Sequence, residues 1–186
     1  ASPEEPLPTP DLVRRLSRSL SLPLIERPAV DRQLDWYVRH PAYMGRVFKR
    51  SERYLWYIMD ELDKRGMPAD LALLPIVESA YDPFAYSHGR AAGLWQIIPG
   101  TGRRFGAKQN WWYDGRRDII ESTHAAITYL ESLASQFDGD WELALAAYNA
   151  GPGNVRKAIR RSGYKKKFWE IYRYLPRETR SYVPQF

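Results

Sequence analysis

The most informative stretch of the chain is residues 71–106, with the sequence LALLPIVESAYDPFAYSHGRAAGLWQIIPGTGRRFG. An apolar helical run over 69–77 delivers one acidic side chain, Glu78, at its end. A hydroxyl, Ser79, a turn around Pro83 and a loop interrupted by glycines follow. Because burial disfavours the charged form, a carboxyl at the end of an apolar helix can stay protonated near neutral pH and donate its proton. The pattern therefore favours a general acid at Glu78; the alternative is a solvated glutamate at a helix end.

Apolar residues recur at helical spacing through most of the chain, so the sequence predicts a mainly α fold. Strand-like alternation is nearly absent, which leaves room for at most a small β-hairpin near 83–93. Pro75 is expected to kink or restart the helix that carries Glu78. The predicted helical segments are 11–20, 30–38, 43–65, 69–79, 99–104, 118–136, 140–150, 154–161 and 176–183.

Composition separates a proline-rich lead from the rest of the chain. Of the 14 prolines, six lie within residues 1–28, as expected of an extended linker. We therefore divide the chain into an N-terminal extension, 1–29, and one catalytic domain, 30–186, which is long enough for a full core. The extension is expected either to pack on the domain or only to tether it.

Charge and residue usage narrow the functional classes. The 28 basic and 22 acidic side chains leave a formal charge of +6, which favours polyanionic partners. The 7 Trp and 13 Tyr are plentiful enough to line sugar or nucleobase sites as well as the core. The chain has no Cys, which excludes disulfides and thiolate metal sites. Its three His are scattered, so we expect neither a metal nor a cofactor.

Three further features each have a structural and a functional interpretation. We interpret Asp82 as turn-forming, because it precedes a proline. Trp111 and Trp112 are expected to cap the core, with a sugar-stacking wall as the alternative. The lysine run 165–167 is expected to be a solvated face, with a polyanion contact as the alternative.

Four motifs stand in a fixed order along the chain: Glu78-Ser79, GLWQ at 93–96, AYNAG at 147–151 and ETRSYV at 178–183. Together they resemble the lytic transglycosylases of the lysozyme superfamily, and within that family the membrane-bound D branch. The chain departs from the common GLMQ motif because Trp95 stands where the family usually has methionine. It also lacks the LysM-type repeats of full-length D-branch members, so we expect it to be a catalytic fragment.

The resemblance implies a lysozyme-like fold and a role for each matching residue. Glu78 matches the single catalytic acid and base of the family. Glu178 matches the buried acidic residue of the last motif, and we expect its role to be largely structural. The residues that match the substrate-binding cleft, Glu178 included, are Ser79, Ser87, Trp95, Gln96, Tyr148, Asn149 and Glu178.

The chemistry that the resemblance implies is consistent with a single carboxyl. Glycosidases that hydrolyse their substrate usually need two carboxyl groups. One suffices if the C6 hydroxyl of the N-acetylmuramyl unit attacks its own C1 and leaves a 1,6-anhydro end. The implied partner is the peptidoglycan glycan strand, with no nucleic acid and no cofactor. The implied location is the periplasm, with a monomer attached to the outer membrane through a segment outside this chain.

Three other functions fit parts of the pattern. A lysozyme-type muramidase would share the fold but use water as the nucleophile. A non-catalytic peptidoglycan-binding module would keep the cleft and leave strands intact. A basic aromatic nucleic-acid binder would explain the charge, although the basic residues are dispersed and no nucleic-acid motif is present.

Overall fold

The computed structural model describes residues 10–23 and 27–186, which are largely helical. Extended pairing among them is limited to isolated bridges, such as the pair Tyr86 and Ala92. The predictions of a mainly α fold and of no more than a small hairpin are therefore confirmed. The α-helices are α1 (Pro10–Ser19), α2 (Pro28–Arg39), α3 (Pro41–Lys64), α4 (Leu74–Ser79), α5 (Pro99–Phe105), α6 (Ile119–Gln136), α7 (Trp141–Ala150), α8 (Pro152–Arg161), α9 (Phe168–Ile171) and α10 (Arg177–Tyr182). Short 3₁₀ helices cover Ala69–Leu73, Tyr172–Tyr174 and Val183–Gln185.

The described chain divides into two compact units. The first is formed by residues 10–23 and 37–126, and the second by residues 27–36 and 127–186. Within the described ranges, no helix is both long and apolar enough to cross a membrane.

The first unit is built around α3. One face of this 24-residue helix is buried, as its apolar stripe predicts. Each apolar side chain of this size contributes about 1.5–3 kcal/mol when it is fully buried, so the stripe anchors the unit. The buried apolar residues of α3 are Val47, Leu55, Ile58, Met59 and Leu62.

The described part of the N-terminal extension packs on the first unit. Leu16 of α1 is buried, and the guanidinium of Arg15 lies 3.6 Å from the carboxylate of Asp60. The buried carboxylate of Asp70 accepts the backbone N–H groups of Ser21, at 2.8 Å, and Leu22, at 3.1 Å. Packing rather than tethering therefore describes residues 10–23, while Pro3, Pro6 and Pro8 fall outside the described residues.

Two helices begin at aspartates, which stand at the first positions of the predicted segments 118–136 and 140–150. Asp118 Oδ1 accepts the N–H groups of Ile120, at 2.9 Å, and Glu121, at 2.8 Å, at the start of α6. Asp140 Oδ1 accepts the N–H of Leu143 at 3.1 Å at the start of α7. Such caps satisfy N–H groups that have no partner within the helix, so both helix starts are encoded locally.

The second unit is organised around α7, whose central residues 143–147 are all buried. Helices α8, α9 and α10 each contact α7. Lys165, Lys166 and Lys167 are exposed, as both a solvated face and a polyanion contact require, so the interpretation of the lysine run stays a prediction.

The aromatic turn at 110–113 differs from its prediction. The side chains of Trp111 and Trp112 are 89% and 91% exposed, so they do not cap the core. The backbone N–H groups of Trp112 and Tyr113 both donate to Asn110 Oδ1, each at 2.8 Å. This tight Asx-type turn points the two indoles outward, and a hydrophobicity pattern alone does not reveal it.

Candidate active site

Glu78 lies in the last turn of α4, and its position follows from the proline three residues before it. The segment starts as the 3₁₀ helix Ala69–Leu73 and restarts as α4, with Pro75 in the first turn. Proline fits a first turn because its missing N–H would have no helical partner there. The restart predicted from Pro75 is therefore confirmed, and the half-buried Glu78 stands at the exit of a six-residue helix.

The turn after Glu78 is held in an unusual backbone conformation. Ala80 and Tyr81 both have positive φ, 51° and 58°, which is costly for residues with a side chain. The ring of Tyr81 is fully buried, and its hydroxyl donates to the carbonyl of Ala72 at 2.6 Å. Burial raises the pKa of the Tyr81 hydroxyl well above its ordinary value, so it remains a donor. This anchor fixes the direction in which the chain leaves Glu78.

Ser79 connects the glutamate helix to the glycine-rich loop. Its hydroxyl lies 2.7 Å from the carbonyl oxygen of Leu94 and 3.1 Å from that of Pro75. The shorter contact joins two of the four sequence motifs within the first unit. The structure thus places Ser79 as a link between motifs.

The loop itself is closed by its own side chains. Ser87 Oγ accepts the N–H of Ala91 at 3.1 Å. Gln96 has a positive φ of 48°, and its Nε2 donates to the carbonyls of Ala85, at 3.1 Å, and Gly93, at 3.0 Å. Ser87 and Gln96 therefore shape the loop, and their predicted contact with a sugar stays a prediction.

Trp95 is fully buried, and its indole N–H donates to Thr123 Oγ1 at 3.1 Å. No part of the ring is open to a ligand in this conformation. The burial argues against the direct substrate contact that the sequence suggested, and it assigns Trp95 to the packing beneath the loop. A large aromatic ring therefore fills this interior position.

Asp82, the nearest carboxylate along the chain, is engaged in a turn. Its Oδ1 accepts the N–H of Phe84 at 2.9 Å, and its backbone carbonyl accepts the N–H of Ala85 at 3.2 Å. The turn-forming interpretation of this residue is confirmed.

The buried Arg116, which no sequence pattern indicated, is hydrogen-bonded to the backbone of the glycine-rich loop. Arg116 is 5% exposed, and its guanidinium donates to the carbonyls of Arg90, at 2.6 Å, and Ile97, at 3.0 Å. Asp114 receives two further bonds from it, from Nε at 2.9 Å and from Nη2 at 2.7 Å. One side chain thus joins both ends of the segment that contains the GLWQ motif.

The pairing with Arg116 lowers the pKa of the Asp114 carboxyl. Partial burial alone would raise the pKa of the Asp114 carboxyl, but the hydrogen bonds and charge of Arg116, with the charge of Arg117, lower it overall. A charged bidentate pair of this kind is stronger than a neutral hydrogen bond and fixes orientation as well as distance. The only sequence signal for it is the spacing of an acidic and a basic residue two positions apart in a turn.

The second unit contains the remaining predicted residues. Tyr148 and Asn149 lie in the last turn of α7, and the Tyr148 ring is 5.6 Å from that of Tyr129. The side-chain amide of Asn149 is bonded to α10: Oδ1 accepts from Thr179 Oγ1 at 2.7 Å, and Nδ2 donates to Glu178 Oε1 at 3.2 Å. The structure therefore brings the third and fourth motifs together.

The expectation that Glu178 is buried is wrong. Glu178 is exposed in the first turn of α10, and its neighbour Thr179 is the fully buried side chain. A helix this short turns only one narrow face inward, and position 179 occupies that face. The largely structural role expected for Glu178 is consistent with its bond to Asn149.

No cluster of potential metal ligands occurs among residues 10–23 and 27–186.

Comparison with known proteins identifies the family of this chain. The model of the transglycosylase SLT domain matches residues 57–171, which include Glu78, the glycine-rich loop and Asn149. The chain belongs to the transglycosylase SLT domain family.

Named relatives of this SLT-domain chain, and solved structures that resemble it, agree with the family assignment. It is 45% identical, over 181 residues, to the membrane-bound lytic murein transglycosylase D of Escherichia coli strain K12. That alignment covers 96% of this chain and 40% of the relative, so the chain spans well under half of that protein's length. The predicted family and the similarity to its D branch are thereby confirmed.

Two solved structures share the fold of the SLT-domain chain. The 70 kDa soluble lytic transglycosylase of Escherichia coli matches with a TM-score of 0.63 and 26% identity, over 84% of this chain and 27% of that one. An inactive mutant of the lytic transglycosylase Slt of Pseudomonas aeruginosa matches with a TM-score of 0.59 and 25% identity, over 94% of this chain and 30% of that one. The predicted lysozyme-like transglycosylase fold is confirmed.

Proposed function

We propose that this chain is the catalytic domain of a lytic murein transglycosylase, which cleaves the bond between N-acetylmuramic acid and N-acetylglucosamine without consuming water. Membership of the SLT family and the 45% identity to a lytic murein transglycosylase support this activity. Two observations together carry the proposal. Glu78 is half-buried at the end of a helix, and the carboxylate of Asp82 is engaged in a turn. A mechanism with one carboxyl fits this arrangement better than the two-carboxyl scheme of hydrolases.

In the proposed reaction, Glu78 acts first as an acid and then as a base. Its proton passes to the bridging oxygen as the bond from C1 of the N-acetylmuramyl unit to that oxygen breaks. The carbonyl oxygen of the 2-acetamido group bonds to C1 and shelters the cationic centre as an oxazolinium. The Glu78 carboxylate then takes the proton of the C6 hydroxyl, whose oxygen displaces the acetamido oxygen at C1.

The products are a 1,6-anhydro end and a free hydroxyl on the departing N-acetylglucosamine unit. Glu78 is protonated again at the end of the cycle, so no water and no second carboxyl are required. General acid and base assistance of this type typically contributes about 10²–10⁴-fold to the rate.

The family resemblance assigns the other motif residues to substrate binding. In the first unit, Ser87 and Gln96 contact the sugar in the proposal. In the second unit, Tyr148 and Asn149 bind substrate, Asn149 with the amide hydrogen that is not directed at Glu178. Trp95 supports the loop from inside the core instead of touching the substrate.

The exposed Trp111 and Trp112 favour the sugar-stacking interpretation over the core cap. Flat indole faces suit the apolar faces of pyranose rings, and the Asn110 turn holds both indoles away from the core. We assign this pair to the glycan strand beyond the scissile bond.

The location follows from the same substrate. Peptidoglycan lies in the periplasm, and the relative named above is membrane-bound. We therefore place this protein in the periplasm, as a monomer attached to the outer membrane through a segment outside the present chain.

Mass spectrometry of the products released from purified sacculi tests the function. A lytic transglycosylase releases muropeptides that end in 1,6-anhydro-N-acetylmuramic acid. Reducing ends instead would identify a lysozyme-type hydrolase, and binding without release would identify a non-catalytic wall-binding module.

A further inference from the structure

The positive charge of the chain is concentrated in one part of the second unit. Residues 152–177 contain nine basic residues and one acidic residue, which gives this segment a net charge of +8. The rest of the chain therefore carries −2 of the total +6. All nine basic side chains are exposed, and the proposed cleavage reaction uses none of them.

Helix α8 carries the centre of this charge on one face. Val155 and Ala158 are buried and face the interior of the second unit. The opposite face is basic along its whole length, because residues three to five positions apart on a helix share a side. Its exposed cations are Arg156, Lys157, Arg160 and Arg161.

Helix formation accounts for only part of this charge. Arg160 and Arg161 lie in the last turn of α8, where the helix dipole favours cations. Arg156 and Lys157 precede that turn, and each forms a like-charged pair with the residue four positions on, which destabilises a helix. No carboxylate of the described residues lies within salt-bridge distance of any of the four. Their charge is therefore available to an anion.

A depression beside α8 brings three cations together without an opposing carboxylate. Its volume is about 410 Å³, and Lys157 and Arg161 line it from α8, one turn apart. Arg173 lines it from the 3₁₀ helix Tyr172–Tyr174. The guanidinium of Arg173 donates to Tyr174 Oη at 2.8 Å and lies 4.9 Å from the centre of that ring, which restricts its position. The other lining residues are all uncharged: Asn154, Tyr174, Leu175 and Pro176.

A second depression, on the Arg156 side of α8, is mixed in charge. Lys166 and Lys167 line it with Arg156, but Asp138 and Asp140 line it as well. Carboxylates repel a bound anion, so the depression without them is the better anion site. Three neighbouring cations suit a phosphate group, whose oxygens accept several charge-assisted hydrogen bonds.

An exposed ring beside these cations favours a bilayer among the partners that carry phosphate. Tyr164 is 69% exposed in the turn that follows α8. Tyrosine is enriched at the level of lipid headgroups, where its ring meets the apolar layer and its hydroxyl meets water. Clusters of four to eight basic residues on a helix are typical of proteins that bind anionic lipids. Single-stranded nucleic acids are instead bound along grooves lined by several stacked rings, whereas here the charge lies on the outward face of a helix.

We propose that this surface of the second unit binds an anionic phospholipid bilayer. One phosphate headgroup enters the depression lined by Lys157, Arg161 and Arg173, and Tyr164 lies among the neighbouring headgroups. The binding requires no cleavage of a glycan strand, so the inference is independent of the proposed reaction. It adds a contact made by the folded domain itself to the membrane attachment proposed above. The α8 surface comprises Arg156, Lys157, Arg160, Arg161, Tyr164 and Arg173.

Co-sedimentation of the full chain with vesicles tests the assignment. Vesicles of phosphatidylcholine alone are compared with vesicles that also contain phosphatidylglycerol. We expect the partition coefficient of the wild type to be at least ~10²-fold higher on the anionic vesicles and to fall as salt is added. In Lys157→Gln with Arg161→Gln it should fall about 25-fold, since each cation near an anionic bilayer contributes a factor of about five. Equal binding to both kinds of vesicle, or wild-type binding by the variant, would overturn the proposal.

A matched control removes the same charge from the first unit. Arg103 and Arg104 are exposed in α5, so Arg103→Gln with Arg104→Gln also lowers the net charge by two. We expect this variant to bind anionic vesicles like the wild type. A loss equal to that of the α8 variant would show that net charge alone is responsible and would overturn the assignment to α8.

A short-chain lipid locates the site on the unmodified protein. Dihexanoyl-phosphatidylglycerol, kept below its micelle concentration, is titrated into the full chain and followed by backbone amide chemical shifts. We expect the largest changes at residues 154–161 and 173–176, and weaker ones with the zwitterionic dihexanoyl-phosphatidylcholine. Largest changes in the first unit would overturn the proposal.

Two competitors identify the source of the phosphate. We expect neither inorganic phosphate nor a single-stranded DNA oligonucleotide to release the wild type from anionic vesicles at matched ionic strength. Release by inorganic phosphate would assign the depression to a free anion, and release by the oligonucleotide would assign the surface to nucleic acid. Either result would overturn the assignment to a bilayer, whether or not the chain is found to cleave peptidoglycan.

Discussion

The hydroxyl of Ser79 lies 2.7 Å from the carbonyl oxygen of Leu94, which is 15 residues further along the chain. This contact joins the last turn of the glutamate helix to the GLWQ motif. The backbone at Glu78 and the glycine-rich loop are therefore held by one short hydrogen bond within the first unit.

Replacing Ser79 with alanine tests this connection. Loss of the bond leaves the Leu94 carbonyl without its side-chain donor, so we expect the free energy of unfolding to fall by about 1 kcal/mol. The rate of strand cleavage should fall as well, because the loop loosens beside Glu78. Ser19 donates to its own helix from an exposed position, so Ser19→Ala is a suitable control and should change neither quantity. An unchanged denaturation midpoint and an unchanged rate for Ser79→Ala would show that the contact has no function.

Gly93 lies against the backbone of Arg116. Its φ is +81°, and a Cβ at this position would stand 1.9 Å from the Arg116 carbonyl oxygen. The backbone must move to admit any side chain, so we expect Gly93→Ala to lower the free energy of unfolding by roughly 2–4 kcal/mol. Thermal denaturation followed by circular dichroism measures the effect.

Gly100 provides the comparison for this glycine. It lies in α5, and a Cβ there would meet no atom within 4 Å. Gly100→Ala should therefore stabilise the protein slightly, by about 0.5–1 kcal/mol, since alanine is the better helix former. Equal effects at the two glycines would contradict the crowding described at Gly93.

The Asp114–Arg116 pair predicts a specific dependence of stability on pH. The folded pKa of Asp114 lies below its unfolded value, so its contribution to stability is complete above the unfolded pKa of about 4. The contribution is lost as the pH falls through the lowered folded pKa. Urea unfolding of the wild type and of Asp114→Asn should therefore differ most at neutral pH and converge in acid. A stability difference that is constant between about pH 7 and pH 2 would show that the charge of Asp114 is not involved.

The exposed indoles at 111 and 112 predict a loss of substrate binding without a loss of stability. The double variant Trp111→Ala with Trp112→Ala removes side chains that are 89% and 91% exposed, so the melting temperature should stay within the usual small effect of surface changes. KM for long glycan strands should rise several-fold while kcat is retained. A fall in melting temperature with KM unchanged would restore the core-capping interpretation.

Much of the fold could be predicted from local patterns. The apolar stripe of α3, the restart at Pro75 and the caps at Asp118 and Asp140 each depend on neighbouring residues, so the sequence pattern was enough. The motif order was also enough to identify the family.

The sequence-based predictions that were wrong or missing concern contacts between segments that lie far apart along the chain. Arg116 reaches the carbonyls of Arg90 and Ile97, and Asp70 binds Ser21 and Leu22 some 48 residues earlier. No local pattern encodes such pairings. The same reason explains why Glu178 was expected to be buried, because its exposure depends on how a short helix is rotated against its neighbours.

The variant Glu78→Gln, with Asp82→Asn as its matched control, is the decisive test of catalysis by a single carboxyl. Glutamine keeps the size of glutamate but neither donates a proton nor accepts one as a base, whereas asparagine at position 82 keeps the oxygen that the Phe84 N–H requires. We expect the wild type and Asp82→Asn to release 1,6-anhydromuropeptides from sacculi, and Glu78→Gln to release fewer by at least ~10²-fold while remaining folded. Undiminished release of anhydromuropeptides by Glu78→Gln, or a loss confined to Asp82→Asn, would rule out the mechanism with Glu78 as sole acid and base.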